Sequence, residues 1–176
     1  SLSSLRVDEF WVELAKEVQK IKKTGLTFAP EAGTQRLRDV INKGVNEENL
    51  YEAAQSAFES GWHRIKLYFM IALPTETEED LAGIVEMAKK VLKIGKKVRK
   101  NTSKRMRKIE VQVSVSTYIP KPFTPFQWVE MPSKEEIEKK ISYLQKHIRG
   151  KGLKFSWNDS ELSLLEGLVA RGDRKV

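Results

Sequence analysis

From Leu67 to Leu73 every residue is apolar, and Pro74 ends the run. A stretch of that length with no polar alternation predicts a strand over Ile65–Leu73 buried on both faces, as in a parallel sheet covered by helices. Ile109–Thr117 behaves differently. Ile109, Val111, Val113 and Val115 alternate with Glu110, Gln112, Ser114 and Ser116, so one face is greasy and the other polar. Two placements fit: the polar set lines a wet lumen, or the strand is an exposed edge with its polar side in water. Leu26–Ala29 reads as a short strand stopped by Pro30.

Between these runs the apolar period changes to that of a helix. Phe10, Leu14, Val18 and Ile21 mark one over about 8–22. A short helix over 34–43 is closed by Gly44. Asn46 caps a longer one to Ser60, closed by Gly61, and Thr77 caps another to about Ile94. Ser133 with Glu136 forms a capping box for a helix ending at His147. A last short strand, Lys154–Trp157, and a helix, Ser160–Val169, follow. Strict alternation with crossovers of this length predicts an α/β chain of right-handed parallel units. Three full strands cannot close a barrel of eight. The expectation is one domain over 1–176: an open partial (β/α) TIM-like barrel, with helices on its convex face.

In such barrels the chemistry sits on the loops after the strands. Here those loops read Ala29–Thr34, Ala72–Thr77 and Tyr118–Trp128, each with proline at the strand end. The first two add a carboxylate beside hydroxyls, and the third adds aromatic rings. Each loop alone is ordinary turn and cap chemistry; three on one face point to a site.

Composition narrows the chemistry. The chain has no cysteine, which excludes disulfides, thiolate metal sites and cysteine nucleophiles within it. His63 and His147 stand in no metal spacing. No apolar run reaches membrane-spanning length and no secretory leader is visible, so the expected location is cytoplasmic. The start at Ser1, without methionine, suggests a chain that begins inside a longer protein. The net charge of +8 is concentrated: residues 93–108 carry nine cations and no acid. That segment reads as a solvated loop, with RNA or an acidic partner as the alternative. It offers no aromatic for base stacking.

The strand-end loops carry a family resemblance. Leu26–Gly44, LTFAPEAGTQRLRDVINKG, resembles the fourth strand and helix of radical S-adenosylmethionine (SAM) barrels. Lys66–Leu81, KLYFMIALPTETEEDL, looks like the fifth-strand motif, and Ser116–Pro125, STYIPKPFTP, is similar to the sixth-strand loop of methylthiotransferase-type members. The phrase as a whole most resembles a subgroup with a cobalamin-binding domain ahead of the barrel. The resemblance implies SAM as cofactor and the second half of the barrel, from the third helix onward, with a C-terminal extension. Glu31 matches the polar residue that reaches the cofactor's ribose or amino group. Lys43 matches a basic residue, usually Arg, that pairs with the methionine carboxylate. Met70 matches the position that packs on adenine, and Tyr118 and Ile119 match the strand end whose backbone meets the adenine edge. Tyr68 occupies an inward position that is often Gly or Asp, and Ala72 stands where Gly is usual. The cluster-binding Cys-x-x-x-Cys-x-x-Cys loop is absent, as is the Gly-Gly-Glu-like stretch after the second strand. The [4Fe–4S] cluster would therefore belong to the missing N-terminal half of the same polypeptide. This chain alone is expected to make no 5′-deoxyadenosyl radical, and the resemblance does not name the substrate.

Overall fold

The computed structural model describes residues 25–102 and 107–172; the expected helix over 8–22 and the loop before it lie outside them. In chain order the elements are β1 (Leu26–Glu31), α1 (Gln35–Val40), α2 (Glu47–Glu59), β2 (Arg64–Ile71), α3 (Glu78–Asn101), β3 (Glu110–Thr117), α4 (Lys134–His147), β4 (Leu153–Trp157) and α5 (Ser160–Arg171). The four strands form one sheet in the order β1-β2-β3-β4, and every neighbouring pair is parallel. Helices carry the chain back between strands, as parallel pairing requires. The open α/β sheet expected from the sequence is therefore the fold.

The core lies on one side of the sheet. Leu26, Phe28, Ile65, Leu67, Phe69, Ile71, Val111, Val113 and Val115 all point toward Leu50 and Phe58 of α2, Ile84 and Val91 of α3, and Ile137 and Leu144 of α4. Each such side chain contributes about 1.5–3 kcal/mol on burial, so the helix-covered face supplies most of the apolar stabilisation. The alternation in β3 is thereby assigned. Its valines face the helices, and Glu110, Gln112, Ser114 and Ser116 share the other face with Lys66, Tyr68 and Met70 of β2.

Four expectations need correction. β2 is not buried on both faces: Tyr68 is 38% exposed and Lys66 and Met70 are half-buried, because α2, α3 and α4 all pack on the opposite face. Tyr and Met count as apolar in a hydropathy pattern yet tolerate water at one end, and Lys66 Nζ donates to the Tyr68 hydroxyl at 2.6 Å. β1 continues through Pro30 to Glu31. Its register jumps between Phe28↔Leu67 and Glu31↔Phe69, and the bulge takes proline's missing donor out of the ladder. α1 gives way at Ile41 and Asn42, with Asn42 at φ 54°, before Gly44 is reached. Finally, α3 runs on to Asn101, so Lys93–Lys100 are helical rather than loop. Lysine and arginine are good helix formers, and a charge run without proline does not end a helix.

A close backbone approach joins the β1–α1 turn to α3. A Cβ on Gly33 would overlap the Asp80 carbonyl oxygen and lie 2.6 Å from the Ile84 nitrogen. One on Gly83 would overlap the Gly33 carbonyl oxygen. Both positions need glycine for space. Gly33→Ala should cost about 2–3 kcal/mol in urea unfolding, because backbone rather than a movable side chain must shift. Gly44→Ala, whose Cβ meets nothing within 4 Å, should be neutral or stabilising by up to about 1 kcal/mol. Equal effects at the two positions would contradict this packing.

Candidate functional site

The C-terminal ends of the strands are held by two buried carboxylates. Asp80, in the first turn of α3, is 1% exposed. It accepts from the Thr77 N–H at 2.7 Å, the Thr77 hydroxyl at 2.9 Å, the Thr34 hydroxyl and the Arg36 guanidinium. Burial alone raises its carboxyl; the donors from Thr34, Thr77 and Arg36 outweigh burial and hold it below the usual carboxylate range. Arg36 also donates to the Thr75 carbonyl at 2.9 Å. One side chain thus closes the capping box of α3 and ties the β1–α1 turn to the β2–α3 turn.

Glu76 is the second. Its side chain is 2% exposed. It accepts from the Ala72 N–H at 2.8 Å and from Lys140 of α4. Burial pushes this carboxyl up, and Lys140 pulls against it. The carboxylates and hydroxyls that mark the second loop as candidate chemistry are engaged in bracing it.

Of the residues nominated from the sequence, Glu31 and Lys43 are brought together. Lys43 Nζ lies 3.2 Å from Glu31 Oε1, with the side chains 32% and 26% exposed. Glu31 sits at the end of β1 with φ 67°, a left-handed backbone that turns the chain out of the sheet. Met70 and Tyr118 meet in a small cluster with Ala32, Leu37, Ile41 and Leu73. The Tyr118 N–H donates to the Ile71 carbonyl at 2.8 Å, which fixes the end of β3 to that of β2. Burial raises the Tyr118 hydroxyl above its usual value, and its ring meets Phe126 edge-on at 6.2 Å. Ile119 is buried beside Gly167 of α5. Tyr68 stands one pleat back from Met70 on the open face, with its hydroxyl on Lys66. Ala72 has φ 60°, a conformation that costs a non-glycine residue about 1–2 kcal/mol. This is a physical reason for glycine at such a position.

Sequence reasoning missed Arg38. It is 1% exposed, donates to the Ala32 carbonyl at 2.8 Å and pairs with Glu47 at 3.2 Å. It pins α1 between the β1 turn and the start of α2. Its helix is short and mostly polar, so no pattern marks an inward arginine.

Residues 2–88 match the model of the Radical SAM superfamily, a span that includes β1, β2 and both braced turns. By this match the segment 2–88 belongs to the radical SAM superfamily. It is similar to an uncharacterized protein of Methanocaldococcus jannaschii, 35% identical over 176 residues, all of this chain and 36% of that protein. It is also similar to an uncharacterized methyltransferase of Pyrococcus horikoshii, 28% identical over 89 residues, 51% of this chain and 19% of that protein. The chain therefore spans about a third of the length of the first relative and matches about a fifth of the second. Radical SAM proteins work with SAM and a [4Fe–4S] cluster. With no cysteine, this chain supplies no thiolate for that cluster. Among the described residues no helix is long and apolar enough to cross a membrane, and no cluster of His, Asp and Glu is arranged for a metal.

The Glu76–Lys140 pair yields a pH-dependent expectation. Lys140→Met removes the cation that opposes burial, so the folded-state value of Glu76 rises further. A carboxyl raised on folding loses stability as pH climbs from its unfolded to its folded value, and the whole cost is present above the latter. The variant should lose about 3 kcal/mol above that raised value and distinctly less as pH falls through it, where Glu76 takes up a proton. A loss independent of pH in urea unfolding would mean that the contact is not ionic.

Proposed function

We propose that this chain is the SAM-binding half of a radical SAM enzyme's barrel, with the preceding part of a longer polypeptide carrying the cluster. The observation that supports this reading is the Glu31–Lys43 pair, half-open to solvent at the end of β1. The amino-acid portion of SAM is a zwitterion. An ion pair that is not fully buried offers it both complementary poles: Glu31 for the ammonium or a ribose hydroxyl, Lys43 for the carboxylate. An ammonium has three donors, so Lys43 can hold a second carboxylate while keeping Glu31. It does so as a point charge, without the fork an arginine would provide.

The neighbouring groups fit the rest of the molecule. Met70 presents a thioether on the open face beside Tyr118, a soft surface suited to an aromatic base. The backbone at Tyr118–Ile119 is offered to the adenine edge, with Tyr118 anchored to Ile71. Tyr68 and Lys66 stand further down the open face. When bound beside a reduced cluster, SAM supplies one-electron chemistry through its reductive cleavage. The residues of this chain bind and orient it. The name of the Pyrococcus horikoshii protein adds methyl transfer as a reading for the longer enzyme. The superfamily match carries nothing on an upstream cobalamin domain.

The test is calorimetric titration of SAM into the longer, cluster-bearing polypeptide. Glu31→Gln and Lys43→Ala should each weaken binding at least tenfold, since a charge-assisted contact contributes about 1.5–3 kcal/mol. Lys43→Arg should bind as tightly as the parent or better. If the Glu31→Gln and Lys43→Ala variants both bind like the parent, the assignment of this pair fails.

A further inference from the structure

At the other end of the sheet, five cations converge on one hollow. Lys89, Lys93 and Lys96 come from α3, and Arg149 and Lys151 from the connection between α4 and β4. The floor is formed by Leu92 and Leu153, and no acid lines it. All five cations are exposed, and among the described residues none has a carboxylate partner. Three lysines elsewhere do pair with acids: Lys121 with Glu166, Lys134 with Glu161, Lys154 with Glu110. What sets the hollow apart is that cations from two separate segments share one lining that holds no acid.

A plain structural account is that cations near a helix C-terminus complement its dipole. That effect fades within the last turn, and Lys89 and Lys93 lie two to three turns before Asn101. Arg149 and Lys151 are not on that helix at all. Lys89, Lys93 and Lys96 follow an i, i+4, i+7 spacing, which sets them along one flank over about 10 Å. A nucleic-acid duplex carries one charge per about 1.7 Å of its axis, so that span meets several phosphates. The lining holds no aromatic ring for stacking on bases. Its leucines are recessed, which is the opposite of what insertion into a lipid surface needs. No buried cation is present to clasp a small phosphate.

We propose that this hollow docks the phosphodiester backbone of a polynucleotide, without regard to base sequence. The inference stands apart from the SAM reading, because the hollow lies at the N-terminal ends of the strands, away from Glu31 and Lys43.

The test uses fluorescence anisotropy of the full chain with a labelled RNA duplex of about 20 base pairs, over about 50–200 mM salt. The chain should bind, and the logarithm of the binding constant should fall with the logarithm of salt with a slope of about −3 to −4, about 0.9 per contact. The double variant Lys89→Glu, Lys96→Glu should weaken binding at least tenfold and flatten the slope by about 2. The matched variant Lys90→Glu, Lys97→Glu changes net charge equally on the other flank of the same helix, where Lys90 lies over Tyr51 and Lys97 beside Glu59. It should weaken binding less than threefold. The proposal is overturned if the duplex does not bind, if both double variants weaken it alike, or if phosphatidylserine vesicles bind more tightly than RNA and lose that binding on Lys89→Glu, Lys96→Glu.

Discussion

The Asp80 carboxylate is the contact on which the strand-end geometry depends. A buried charge is costly unless donors surround it, and here three residues from two parts of the chain supply them: Thr34 and Arg36 in the β1–α1 region, and Thr77 in the cap of α3. Those partners are 44 and 46 residues away along the sequence for Arg36 and Thr34. The same junction is where Gly33 lies against α3 with no room for a side chain. Charge and shape therefore fix one turn against the other. Ala32 and Leu37 are set against Met70 by that junction, and Glu31 is aimed out of the sheet one residue earlier.

The second constraint is that helices cover one face of the sheet. The face that the described helices leave uncovered carries Lys66, Tyr68, Met70, Gln112, Ser116 and the more buried Ser114, a surface of hydroxyls, an amide, an ammonium and a thioether. At the C-terminal end of that face the turns are braced by Asp80, Glu76 and Arg38. The N-terminal end is different. There the helix α3 and the α4–β4 connection bring together cations that nothing in the described residues neutralises. The two ends thus differ in kind: one is a preorganised set of mixed polarity, the other an exposed field of one sign.

Much of this layout is legible in the sequence because it rests on local signals. The capping residues Asn46, Thr77 and Ser133, and the alternation along β3, are written in a few consecutive positions, and the structure has them as read. What alternation does not encode is which side of a strand a helix will cover, so only the core assigns the face of β3. β2 misleads because Tyr68 and Met70 satisfy a hydropathy pattern while standing half in water. The end of α3 misleads because a run of lysines looks like a loop. Long-range polar contacts leave no trace at all: neither the convergence on Asp80 nor the inward turn of Arg38 follows from spacing. The same holds for the site. Glu31 and Lys43 are nominated separately from a resemblance, and their mutual pairing depends on the left-handed turn at Glu31, which an acidic residue does not advertise.

The most direct test of the Asp80 junction is amide hydrogen exchange on Asp80→Asn, compared with the parent chain. An asparagine at that position can still accept from the Thr77 N–H but offers no charge to Arg36. Amides over 32–41 and 72–80 should lose protection together, while those of β3 and β4 exchange as before. Loss confined to the cap over 77–80, with the β1–α1 turn unchanged, would contradict the claim that this carboxylate holds the two turns as one unit.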